Sequence, residues 1–240
     1  MSLDADGFSL LQGVFAADEV IAIVAEWDGV CSRNASDAAI LAGEGGPAYG
    51  ARDLLRLWPR VIELARSPRL LASLRDVLGP TGGVVRALFF DKPPGHSWAL
   101  PWHKDYNVAV KSHGGTGTFH KPTKKVGVPH VEAPEELLSR MVTARIHLDA
   151  MTDENGALRV VPGSQRYYRA SEHTPQPPVS VHCSAGDVLL MRPLLTHASG
   201  HCRPETRRHR RIVHLECAPS PALPDGYEWH DFVPLDPLLC

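Results

Sequence analysis

Two histidine–aspartate pairs stand out for their chemistry: His103 and Asp105 in "PWHKD", and His147 and Asp149 in "RIHLDA". An imidazole and a carboxylate two residues apart suit a divalent metal ion. A chain of 240 residues with 13 histidines is nevertheless expected to hold roughly one such pair by chance. Spacing alone therefore does not choose between them. A third ligand is available downstream, where His197 follows the apolar run "DVLLM" and precedes a loop containing Gly and Pro. Two imidazoles and one carboxylate on one face of a metal leave three positions open, which is the arrangement of non-haem Fe(II) oxygenases.

A cosubstrate such as 2-oxoglutarate would chelate that iron through its keto acid end and leave its far carboxylate to be neutralised by the protein. Arg210 and Arg211 open the strand that follows His197, and a guanidinium binds a carboxylate bidentately while keeping its charge. Strand alternation puts Arg210 on one face with Ile212, His214 and Glu216, and Arg211 on the other with Val213 and Leu215.

These groups need a scaffold. The first 82 residues read mainly as a helical buttress. In "AADEVIAIVAEWDGV", Val20, Ile23, Val24 and Trp27 share a face. In "SPRLLASLRDVLG", Ser67 is placed to cap, Pro68 takes the first helical position, Leu70, Leu71, Leu74 and Leu78 form a stripe, and Gly79 ends the helix. From Gly83 the pattern changes to short apolar or alternating runs between turn residues, as in an antiparallel sandwich or barrel. The predicted strands are "VVRALFFD", "MVTARIHLDA", "ALRVV", "VSVHC", "DVLLMRP" and "RRIVHLECA".

In "MVTARIHLDA", Thr143, Arg145, His147 and Asp149 share one face, and Val142, Ala144, Ile146 and Leu148 the other. A solvent-facing strand is the commoner origin of such a pattern. The alternative is a strand lining a polar cavity inside a small barrel. Residues 111–139, rich in Gly, Pro, Lys and His, show no sustained period and read as a long loop, a lid-like insertion over a nearby site.

Composition narrows the function classes. With 43% apolar and 22% charged residues and a formal net charge of −2, the chain has no general attraction for nucleic acid. Its apolar runs are far too short for a membrane span, and the acidic N-terminus lacks a signal-peptide pattern, so a cytoplasmic location is expected. Cys31, Cys183, Cys202, Cys217 and Cys240 are scattered and read as reduced thiols.

Taken in order, "FFDKPPGHSWALPWHKD", "MVTARIHLDAMTDENGALRVVPGSQ", "GDVLLMRPLLTHASG" and "RRIVHLECA" resemble the phytanoyl-CoA dioxygenase family of Fe(II)- and 2-oxoglutarate-dependent oxygenases, over roughly residues 83–218. The resemblance implies that His103, Asp105 and His197 hold iron, and that Ser199 and Arg210 bind the far carboxylate of 2-oxoglutarate, with Arg208 and Arg211 as alternatives to Arg210. It makes "RIHLDA" a strand ahead of a turn. His147 and Asp149 are then not ligands, and Arg145 and His147 become candidates for the substrate pocket.

Trp98, a further substrate candidate, and Trp102 read more simply as packing around the ligand loop. Lys92 reads as a solvated strand-end lysine. His113, His120, His130, His173, His182, His201 and His209 need no role.

The expectation is a single domain, mainly β with flanking helices. Its core would be a double-stranded β-helix, or cupin-like jelly roll, at 83–218, followed by a C-terminal extension at 219–240. The implied activity is hydroxylation of a small molecule, polar or anionic, using Fe(II), 2-oxoglutarate and O2. Asp105 stands where a halogenase would need a small residue. A cupin-like metal enzyme without 2-oxoglutarate and a non-catalytic jelly-roll binding module are the alternatives.

Overall fold

A computed structural model describes residues 1–43, 48–115, 117–169 and 176–239; His173 and Cys240 lie outside the described residues. The helices are α1 (Leu3–Asp6), α2 (Ala17–Arg33), α3 (Leu54–Leu57), α4 (Val61–Ala65), α5 (Pro68–Leu78) and α6 (Glu135–Leu138). In α2 the Glu19 carboxylate accepts the Ala16 N–H at 2.7 Å, and Val20, Ile23 and Trp27 are buried, as their spacing requires. α5 starts at Pro68, buries Leu70, Leu74 and Leu78, and stops at Gly79. Ser67 does occupy the cap position, but its hydroxyl makes no cap hydrogen bond and is buried without a partner. The leucine stripe and Pro68, not a cap, set this helix.

The strands are β1 (Phe8–Leu11), β2 (Ile40–Ala42), β3 (Ala48–Ala51), β4 (Gly83–Phe90), β5 (Leu100–His103), β6 (Asn107–Ala109), β7 (His120–Lys125) and β8 (Val128–Glu132). They continue with β9 (Val142–His147), β10 (Leu158–Val160), β11 (Val179–Val181), β12 (Val188–Met191), β13 (His197–Ser199), β14 (Ile212–Ala218) and β15 (Val233–Pro234). A large antiparallel sheet runs β1-β12-β9-β14-β4-β3-β2, with β15 also on β4, and a smaller one runs β11-β10-β13-β5. The two make a double-stranded β-helix, a jelly roll. β1, β2 and β3 show that the first 82 residues are not purely a helical buttress: they add strands of three or four residues, too short to carry a visible period.

The large sheet is apolar on its outer face. Val142, Ala144, Ile146, Val188, Leu190, Val213 and Leu215 form one buried cluster with Trp27, Leu70 and Leu74 from the helices. Trp27 stacks on Phe89 at 4.3 Å between ring centroids. Truncation of Leu74, which is fully buried, is expected to cost ~2–5 kcal/mol of unfolding free energy, read as a lower urea midpoint in the Leu74→Ala protein.

The inner face is polar, which decides the ambiguous strand. Thr143, Arg145 and His147 of β9 are all buried and Arg145 lines the cavity, so the commoner solvent-facing reading is corrected in favour of an inward-facing strand. The long-loop reading of 111–139 is also corrected. β7 and β8 form an antiparallel hairpin, and β6 pairs with β8, giving a third small sheet. Val108, Val131, Phe119, Tyr227 and Trp229 pack in its core, so the C-terminal segment holds the hairpin down.

Candidate functional site

β5 and β13 pair in the smaller sheet with His103 opposite His197, and the two rings lie 4.2 Å apart between centroids. Asp105 follows β5, where its backbone N–H donates to the Pro193 carbonyl at 2.9 Å. One Asp105 oxygen lies 3.8 Å from His103 Nε2 and the other 3.7 Å from His197 Nε2. The ligand atoms of His103, Asp105 and His197 all fall within 4.8 Å of one another.

Each ring is oriented by its own strand. His103 Nδ1 donates to the Pro101 carbonyl at 2.7 Å, and His197 Nδ1 to the Leu195 carbonyl at 2.8 Å. A carbonyl only accepts, so both Nδ1 atoms carry the proton and both Nε2 lone pairs face Asp105. Burial pushes the His197 imidazole down to about 4, which keeps it in the neutral, ligating form. Burial opposes ionisation of Asp105, but His197, His214, His103 and Arg145 outweigh it and hold the carboxyl below its usual range. The donor set therefore fits a divalent cation that takes nitrogen and oxygen ligands.

The three residues sit in the wall of a cavity of about 300 Å3 between the two sheets. At one end lie Arg210, Ser199 and Trp98. Arg210 is 2% exposed; its Nη1 donates to the Gly156 carbonyl, and its Nε has no partner. Lys92, which the sequence suggested was solvated, is 0% exposed, and this corrects that reading. Its Nζ donates to Ser199 Oγ at 3.2 Å and to the Gly200 carbonyl, and lies 4.8 Å from the centre of the Trp98 ring. Gly156 is at φ 72°, and a Cβ there would sit 3.1 Å from Lys92 Nζ and closer still to the Gly200 carbonyl, so only glycine lets these chains converge.

Neither Arg210 nor Lys92 forms an ion pair among the described residues. Burial and then Arg145 push Arg210 down to about 9; burial and then Arg210 push Lys92 down to about 7. Two buried cations without a counter-ion, one with an unpartnered N–H, are suited to an anion entering from the cavity.

The other candidates separate cleanly. Arg211 turns to the opposite face and grips Asp149 with Nε and Nη2 at 2.8 and 2.7 Å, so both partners are occupied outside the cavity. Arg208 is 64% exposed, with its nearest acid, Glu154, at 3.8 Å. Arg145 lines the cavity and donates to His214 Nδ1 at 3.3 Å. His147 is fully buried with both ring nitrogens unpartnered. Trp98 lines the cavity and donates through Nε1 to the Asp91 carbonyl, whereas Trp102 is 44% exposed and does not pack around the loop as expected.

Sequence reasoning missed several lining residues, Arg52, Arg86, Phe90, Lys104, Lys125 and Glu216 among them. For Arg86, His214 and Glu216 the alternation of β4 and β14 carried the signal.

The buried histidines give the fold a pH dependence. Burial, then Arg145 and Arg210, hold His147 well below its usual value, and burial takes His130 down to about 4. The unfolded chain protonates both near pH ~6.5 while the folded chain does not. Their contribution is therefore complete above that pH and lost below it, by up to ~1.4 kcal/mol per pH unit per histidine. The urea midpoint of metal-free protein is expected to fall between about pH 7 and about pH 5, and less steeply in His147→Leu.

Comparison with known proteins agrees with this architecture. The sequence model described as phytanoyl-CoA dioxygenase (PhyH) matches residues 3–210. The chain is 28% identical over 174 residues to the ectoine dioxygenase of Bordetella parapertussis, covering 70% of this chain and 48% of that one, so it spans about half the length of the curated relatives it matches. Among solved structures, the iron-bound EctD of S. alaskensis superposes with a TM-score of 0.68 at 22% identity, over 90% of this chain and 74% of that one. A non-haem, α-ketoglutarate-dependent epimerase of nogalamycin biosynthesis, SnoN, gives 0.63 at 18% identity over 90% and 77%. These likenesses establish the fold. Because the family match covers most of the chain and includes His103, Asp105, His197, Ser199 and Arg210, the protein belongs to the phytanoyl-CoA dioxygenase family.

Proposed function

We propose that this chain is an Fe(II)- and 2-oxoglutarate-dependent dioxygenase that hydroxylates a small molecule. The observation that carries this reading is the buried, counter-ion-free Arg210 in the same cavity wall as His103, Asp105 and His197, with a second buried cation, Lys92, held behind it on Ser199 of that wall. A metal enzyme without an anionic cosubstrate has no use for such a pair, and a binding module has no use for the three convergent ligand atoms.

In this reading His103 and His197 present Nε2 and Asp105 a carboxylate oxygen to iron. Ferrous iron with 2-oxoglutarate and O2, once bound there, would supply the oxidising power for hydroxylating a substrate C–H bond, with succinate and CO2 as coproducts. Arg210 receives the far carboxylate bidentately, and Ser199 and Lys92 complete its hydrogen bonds. Arg145, held on His214, lines the same cavity on the substrate side. His147, without a hydrogen-bonding partner of its own, completes the polar wall behind Arg145 and Arg210.

No described helix is long and apolar enough to cross a membrane. Cys31, Cys183, Cys202 and Cys217 are unpaired, and reduced thiols fit a cytoplasmic location.

The test is an anaerobic optical titration of the purified protein with Fe(II) and then 2-oxoglutarate, which requires no knowledge of the substrate. A visible metal-to-ligand charge-transfer band that saturates with 2-oxoglutarate is expected. Iron bound without that band would overturn the 2-oxoglutarate reading in favour of a cupin-like metal enzyme; no iron bound would leave a binding module.

A further inference from the structure

The cavity has a second cationic end that the iron and 2-oxoglutarate reading does not use. On β4 and β14, Arg86 stands opposite Glu216, and their side chains pair at 2.9 Å. Arg52, just past β3, and Lys125, the last residue of β7, line the same wall. Neither Arg52 nor Lys125 forms an ion pair among the described residues, so the Arg86–Glu216 pair leaves two cations unbalanced. Burial and then Arg86 lower the proton affinity of both, as expected for like charges confined together.

The adjoining crevice carries two acids, Asp53, which accepts from Arg56 Nε at 2.6 Å, and Asp231, 3.8 Å from His230; neither forms an ion pair with Arg52 or Lys125 among the described residues. His130, also in that crevice, is neutral.

This end is remote from Arg210. Glu216 lies six positions after Arg210 along β14 and its approach, roughly 20 Å of extended backbone at about 3.3 Å per step. A five-carbon diacid, at roughly 1.5 Å per bond, spans less than half of that. The 2-oxoglutarate held at Arg210 therefore cannot supply the missing charge at Arg52 and Lys125. The cavity lies open between the two ends, with Arg145 and His214 on its floor.

Resting on the function proposed above, we infer that Arg52, Arg86 and Lys125 form an oxyanion subsite, and that the substrate is an anion whose carboxylate or phosphate group docks there. Guanidinium forks and a mobile ammonium suit either group, with Glu216 fixing the Arg86 fork. Docking at this end would set which carbon of the substrate faces Asp105 and its two histidines. Lys125 comes from the β7–β8 hairpin, so the hairpin contributes directly to recognition.

The test is calorimetric titration with inorganic phosphate and with propionate, into protein as purified and into anaerobic protein loaded with Fe(II) and 2-oxoglutarate. A saturable site that persists in protein loaded with Fe(II) and 2-oxoglutarate and is retained in Arg210→Gln is expected for at least one probe. It should be at least ~10-fold weaker in Arg52→Gln/Lys125→Gln and restored in Arg52→Lys/Lys125→Arg. The tighter probe tells whether the substrate group is a phosphate or a carboxylate.

No saturable binding of either probe overturns the inference. So does binding lost in Arg210→Gln but kept in Arg52→Gln/Lys125→Gln, which would put the anion at the other end. The far-ultraviolet spectrum of the double variant checks its fold. Failure of the iron and 2-oxoglutarate reading would appear as absence of the charge-transfer band, which the titration of purified protein does not use.

Discussion

Replacing His197 with alanine is expected to abolish the 2-oxoglutarate charge-transfer band and to weaken Fe(II) binding by more than ~100-fold. Loss of a group that merely orients a ligand already costs about 10–100-fold, and His197 would be a ligand itself. Its ring is buried, neutral, and aimed by the Leu195 carbonyl, so its Nε2 lone pair is already directed at the metal position. The informative contrast is His147→Leu. His147 belongs to the other His-x-Asp pair and is buried at another point in the barrel wall, while its companion Asp149 is committed to Arg211. Iron affinity in His147→Leu should stay near that of wild type, measured by anaerobic competition with a chromogenic chelator. An equal loss in both variants would mean that the metal is not held by His103, Asp105 and His197.

Strand length governs how much of this site is legible in the sequence. β9 and β14, of six and seven residues, show enough alternation to sort inward from outward side chains, so the pattern alone places Arg210 and Arg211 on opposite faces. Alternation does not say whether a polar face meets water or a cavity. That depends on closure by the small sheet, a long-range event with no local signature, which leaves the polar face of β9 open to the wrong reading. β5 and β13, with four and three residues, carry His103 and His197 but no period, and only the ordered motifs locate them.

Lys92 escapes the sequence for a related reason. A lysine at a strand end is usually solvated, and its burial here follows from Gly156 letting its loop close against the Gly200 carbonyl beside the Lys92 ammonium. Arg52 and Lys125 come together from segments some 70 residues apart, brought onto one wall by the pairing of β3 with β4 and by the folded-back β7–β8 hairpin.

Arg210→Gln is expected to raise the 2-oxoglutarate KM by ~30-fold or more while leaving iron bound. Removing one partner of a buried, hydrogen-bonded charge pair costs ~2–5 kcal/mol, and the lower figure already corresponds to ~30-fold. Arg210→Lys should not rescue it, because a lysine cannot reproduce the fork while donating to the Gly156 carbonyl.

Lys92→Met should behave differently. At about 7, Lys92 is only partly charged near neutrality, so anion binding draws in a proton as pH rises. Wild-type affinity for 2-oxoglutarate should therefore decline as pH rises above about 7, and Lys92→Met should bind more weakly but lose that dependence. Parallel pH profiles in the two proteins would remove Lys92 from the carboxylate site and leave Arg210 and Ser199 to hold it alone.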